Sequence, residues 1–145
     1  MSEPVDFCKK RMSHLRELMD ERDIDIVYLT SSGMFNFRSI YKRLADTTSG
    51  QALLVPRDGD AVVFCYPVNY VSTKDESWIK IREIEYGEKK VYEEVAEFAN
   101  EYLKVERSKL GLNMSGLNYE SYKYLKEKLK GEIVGIEKTI LPEVF

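Results

Sequence analysis

A chain of 145 residues with 22 Lys and Arg against 25 Asp and Glu carries a net charge of −3, is one ordinary domain in size, and lacks the basic stripe of a nucleic-acid-binding protein. Its 43% hydrophobic residues include no apolar run near the ~20 residues of a membrane span, and charges occupy the N-terminus where a signal peptide needs its apolar segment. One histidine, His14, and two distant cysteines, Cys8 and Cys65, leave little from which to build a hydrolytic metal centre or a histidine-based triad.

Val5, Cys8, Met12, Leu15 and Met19 recur at spacings of three and four, which predicts an amphipathic helix with His14, Glu17, Asp20, Glu21 and Arg22 left wet. Asp23-Ile24-Asp25 ends it. Residues 26–30 are nearly all apolar and predict a strand buried on both faces. Residues 31–33 form a turn, 34–41 an aromatic short helix or irregular loop, and 42–50 a polar loop. Two strands follow at 51–55 and 61–66, joined as an antiparallel hairpin by Pro56-Arg57-Asp58-Gly59-Asp60.

A short helix is expected within 67–77, and Trp78 with Ile79 and Ile81 is expected to pack on the sheet. Ile79, Ile81, Ile84 and Tyr86 mark an edge strand. Val91, Val95, Phe98, Ala99, Tyr102 and Leu103 form the clearest helical stripe. A strand at 109–113 precedes a helix over 119–129, with Asn118 as its N-cap and Leu117 as an apolar staple. Tyr122, Leu125 and Leu129 face inward there, Tyr119 and Tyr124 lie at the surface, and Gly131 stops the helix. Residues 132–136 are the last strand. This alternation, with one inserted hairpin, predicts a single domain over 1–145, an α/β/α sandwich with a mixed sheet.

The order of segments is similar to that of a known family. RMSHLRELMDERDIDIVYLTSS resembles the opening of the creatinase/prolidase metallopeptidases, which begin with an amphipathic helix, a turn similar to R-G-I-D-A and a strand ending in Thr-Ser. ALLVPRDGDAVVF resembles the hairpin that follows their short aromatic segment. KLGLNMSGLNYESYKYLKEKL is similar to the strand, small loop and helix near the end of their N-terminal domain. The resemblance covers essentially the whole chain. It implies the three-layer α/β/α sandwich with a ribonuclease H-like motif. Where family members carry Pro, Asn and Gly after the first strand, this chain has Ser32, Met34 and Ile40, and Arg38 stands where an apolar residue is usual.

The resemblance also implies a second, "pita-bread" domain in which two aspartates, one histidine and two glutamates hold two divalent metal ions (Mn, Co or Zn). Nothing here matches that ligand set, so no catalytic residue, metal or other cofactor is expected in this chain. Residues 141–145 fall about where relatives begin the catalytic domain, and a truncation at a domain border is expected. The implied role is that of a non-catalytic N-terminal domain of a Xaa-Pro dipeptidase or aminopeptidase. It would contribute dimer contacts in a cytoplasmic homodimer and shape a substrate entrance for short proline-containing peptides, with no nucleic acid or membrane as partner.

By the same resemblance, Arg38, Tyr41, Lys42, Arg43 and Asp46 are candidates to line that entrance. Arg or Lys would pair with a peptide carboxylate, and Asp46 with its amino group. Cys8 and Cys65 read as buried, reduced thiols, and the pairs Glu93-Glu94 and Glu83/Glu85 as solvated carboxylates without a partner base. Two alternatives stand beside the peptidase. One is a stand-alone peptide- or protein-binding module, as the fold serves in the large subunit of a histone chaperone. The other is the N-terminal domain of a creatinase-type amidinohydrolase.

Overall fold

The computed structural model describes residues 2–30, 43–45, 51–84, 91–104, 107–114 and 118–144. Helix α1 (Ser2–Glu21) forms on the expected stripe: Cys8, Met12, Leu15 and Met19 are buried, joined by Leu18, while His14 is exposed. It closes with a Schellman turn in which Ile24 N donates to Met19 O (2.8 Å) and Asp23 N donates to Asp20 O (3.3 Å). Asp23 takes φ 58°, the left-handed conformation usually left to glycine, and Met19 and Ile24 share one buried apolar cluster.

Six strands build one mixed sheet: β1 (Ile26–Thr30), β2 (Ala52–Pro56), β3 (Val62–Cys65), β4 (Lys80–Glu83), β5 (Lys109–Leu112) and β6 (Glu132–Gly135). Their order is β4-β3-β2-β1-β5-β6. β1 pairs antiparallel with β2, which pairs antiparallel with β3; the β1/β5, β3/β4 and β5/β6 pairs are parallel. Among the described residues, the further helices with stated bounds are a 3-10 turn (Pro67–Asn69), α2 (Tyr70–Glu76), α3 (Val91–Asn100), α4 (Tyr119–Lys128) and α5 (Leu141–Val144).

Alternation along β1–β3 divides the interior. Val27, Leu29, Leu53, Val55 and Val63 join the core that holds α1 and α5. Ile26, Tyr28, Leu54, Val62 and Phe64 join the core that holds α3 and α4. Both faces of these strands are covered, which is why their sequence reads as unbroken apolar runs. The α/β/α sandwich expected from the sequence is the fold observed.

Polar groups register the strands. Asp25 Oδ1 accepts from Arg57 Nη2 and Oδ2 from the Lys109 amide, both at 2.8 Å, and Thr30 N donates to Asn113 Oδ1 at 3.0 Å. The Asn118 cap is present, its Oδ1 accepting from Ser121 N at 2.8 Å. Leu117 and Tyr86 lie outside the described residues.

Three expectations are corrected. Within the stretch read as a polar loop, residues 43–45 form a helical turn with Leu44 and Ala45 fully buried, because both join the α1-side core. Tyr124 is half-buried, not at the surface, since its ring meets that of Tyr92 at 5.0 Å between centroids. Gly131 does not end α4: Leu129 already caps the helix in extended conformation. What Gly131 provides is close passage, because a Cβ there would collide with the Ser108 carbonyl.

Candidate functional site

Of the expected entrance residues, Arg43 is described; Arg38, Tyr41, Lys42 and Asp46 lie outside the described residues. Arg43 is exposed and opens the 43–45 turn. Three consecutive carbonyls of that turn are each captured by a side chain from elsewhere. Arg11 Nη1 of α1 donates to Arg43 O at 3.2 Å. Trp78 Nε1 donates to Leu44 O at 2.9 Å, and Ser77 Oγ to Ala45 O at 2.6 Å. Ser77 Oγ in turn accepts from Ile79 N at 3.2 Å, so the α2–β4 corner and the turn share one network. These side chains, from α1 and the α2–β4 corner, satisfy the carbonyls of residues 43–45.

Arg11, Ser77 and Trp78 were not foreseen in this role. A faint signal exists for Arg11, which directly precedes Met12 on the buried stripe of α1. Ser77 and Trp78 carry no such signal, since their partners lie 32 and 34 residues earlier.

The electrostatics give little to acid–base catalysis. Burial pushes the Tyr28 hydroxyl up to about 12. Burial also pushes the Cys65 thiol up, against a hydrogen bond with Thr73 that acts the other way. The hydrogen bond from Lys80 Nζ to Asp60 Oδ2, at 2.6 Å, holds the Asp60 carboxyl below the usual range and raises the Lys80 ammonium. Each of these groups moves away from neutrality, the opposite of what a general acid or base requires. Cys8 and Cys65 are buried and stand outside any disulfide, as expected.

No group of three or more His, Cys, Asp or Glu side chains among the described residues could hold a metal ion, so a di-metal centre does not fit them. Among the described residues no helix is long and apolar enough to cross a membrane.

The family model for the Creatinase/Prolidase N-terminal domain matches residues 11–142. Solved structures share the fold. A Xaa-Pro dipeptidase from Bacillus anthracis is similar at a TM-score of 0.69 and 20% identity, over 88% of this chain and 33% of that one. An X-Pro aminopeptidase from Thermotoga maritima is similar at a TM-score of 0.72 and 14% identity, over 91% of this chain and 35% of that one. The Creatinase/Prolidase N-terminal domain of an X-Pro dipeptidase from Streptococcus pyogenes is similar at a TM-score of 0.67 and 11% identity, over 88% and 93%. The chain thus spans about a third of the first two proteins. No curated protein sequence matches it.

Proposed function

The chain belongs to the creatinase/prolidase N-terminal domain family, and from that membership we propose that it is the non-catalytic N-terminal domain of a Xaa-Pro dipeptidase or aminopeptidase. The observation that carries the reading is the family match over residues 11–142, on a sheet and helix layers shared with such a domain from a dipeptidase. The span of about a third of two such peptidases agrees with a second domain in the parent protein. That domain would hold the two divalent ions, Mn, Co or Zn, for which the described residues offer no ligand set.

In this reading the parent is a cytoplasmic homodimer acting on short proline-containing peptides. The present chain supplies dimer contacts and one wall of the substrate entrance. Arg38, Tyr41, Lys42, Arg43 and Asp46 are the wall residues. Arginine offers a peptide carboxylate a two-pronged fork, and Asp46 pairs with the amino group. Support comes from the captured 43–45 turn, which gives Arg43 a fixed base.

The test has two arms. The purified 145-residue chain, supplied with Mn²⁺ or Co²⁺, should hydrolyse no X-Pro dipeptide, and metal-dependent turnover by the pure chain would overturn the reading. The natural product in source cells should exceed the 16.9 kDa of this chain, and a product of that mass would leave no room for the catalytic domain.

A further inference from the structure

A cavity of ≈ 250 Å³ opens between α1 and the start of β3 and β4. Its walls are apolar where Met12, Ala61, Trp78 and Ile79 contribute, and charged where Arg16, Asp60 and Lys80 do. The volume lies below the roughly 300–1,000 Å³ of pockets that take drug-sized ligands, so only a small molecule fits.

The charges are unequal. Asp60 and Lys80 neutralise each other through their 2.6 Å contact. The lining as a whole carries two cations, Arg16 and Lys80, against the one carboxylate of Asp60. Arg16 Nη2 donates to Gly59 O at 2.5 Å, which fixes the guanidinium at the cavity wall. Lys9, on the same side of α1, sets its ammonium 5.6 Å from the centroid of the Trp78 ring and adds positive charge to this region of a chain that is acidic overall.

We propose that this cavity is a binding site for a small organic carboxylate with an apolar body, its carboxylate held by the guanidinium of Arg16 and its body packed between Met12, Ile79 and the Trp78 ring. Charge alone would bring an inorganic anion; the apolar walls select against it, since such an ion would leave them unfilled. The site is independent of the peptidase reading above, and it uses none of the entrance residues.

Trp78 is the single tryptophan, so its fluorescence reports the cavity directly. The experiment titrates the intact chain with 4-methylpentanoate and follows Trp78 emission. A saturable change with a millimolar half-point is expected, the range that a ligand of so few atoms reaches. The neutral 4-methylpentanamide and plain acetate should each bind at least tenfold more weakly. Equal binding of the amide removes the role of Arg16, equal binding of acetate removes the role of the apolar walls, and a linear response to every compound removes the site. Arg16→Gln should weaken 4-methylpentanoate at least tenfold while Arg16→Lys retains part of the affinity. Unchanged affinity in Arg16→Gln overturns the proposal. The analogue series on the native chain decides the question should that variant fail to fold.

Discussion

Asp25 ties three strands together through one carboxylate: Oδ1 accepts from Arg57 Nη2 just past the end of β2, and Oδ2 accepts from the Lys109 amide at the start of β5, both at 2.8 Å. The backbone repeats the link, with Arg57 N donating to Asp25 O and Asp25 N to Lys109 O, each at 2.9 Å. Asp25→Ala removes both side-chain acceptors and leaves a part-buried guanidinium short of a partner. A loss of about 2–3 kcal/mol is expected, the scale of hydrogen bonds to charged groups. Asp25→Asn, which keeps one acceptor oxygen, should lose about half as much. Urea midpoints at unchanged slope would measure both, and a midpoint for Asp25→Ala equal to that of the native chain would refute the tie.

At Asp23 two effects oppose each other. The left-handed φ of 58° costs a side-chain-bearing residue about 1–2 kcal/mol, while the 3.3 Å ion pair with Arg57, on a largely exposed carboxylate, contributes no more than about 1 kcal/mol. Asp23→Gly relieves the first, loses the second and adds backbone entropy to the unfolded chain, so it should fall within about 1 kcal/mol of the native protein. Asp23→Val keeps the strained conformation in a β-branched residue and should lose about 2 kcal/mol. Thermal denaturation of the two variants side by side gives the comparison, and a stable Asp23→Val would show that the turn relaxes.

Ser77 and Trp78 should control access to the turn at Arg43. Ser77→Ala and Trp78→Phe each remove one donor to a carbonyl of that turn. Each should make local opening easier by about 1.4 kcal/mol, or about tenfold. Trypsin cleaves after arginine, so the rate of cutting after the exposed Arg43 reads the opening directly while cleavage is slow against reclosing. Cutting at the native rate in the double variant would show that the turn does not depend on these donors.

Tyr28 makes a prediction for alkaline solution. Its folded-state hydroxyl is held neutral up to about 12, against 10.0 for an unburied tyrosine, chiefly because burial disfavours the phenolate. A folded value above the unfolded one means that the contribution is fully present below pH 10 and is lost as pH rises towards 12. Two pH units at 1.36 kcal/mol each bound the loss at about 3 kcal/mol. Tyr28→Phe cannot ionise, so the stability difference between the native chain and this variant should narrow or reverse across pH 10–12. A difference independent of pH would refute the assignment.

What could be read in advance follows the range of the interaction concerned. The stripe of α1, the hairpin over 52–65 and the Asn118 cap each depend on residues within a few positions of one another, and each formed as expected. The buried turn at 43–45 depends on Ser77 and Trp78, which meet it only after the chain has folded. Gly131 looks like a helix stop because glycine so often is one; its contact with Ser108 belongs to tertiary structure. For the site, Arg43 stands on the described turn, whereas nothing in the sequence sets Arg16 and Lys80 apart from the chain's other charges until the fold places them around one cavity with Trp78.

The place of β1 has a consequence for how the protein is made. Its antiparallel partner ends at Pro56, yet its parallel partner begins at Lys109, so Ile26 waits for Leu110. A ribosome adding ~5–20 residues per second needs roughly 3–11 s to lengthen the chain from one partner to the other. Through that interval one edge of Ile26, Val27 and Tyr28 has its backbone groups unpaired, although all three residues are buried once folding ends. Chaperone capture or aggregation of the nascent chain is thus set by synthesis speed between Pro56 and Leu112, and slow codons there would lengthen the exposure of a strand that the finished fold shelters from both sides.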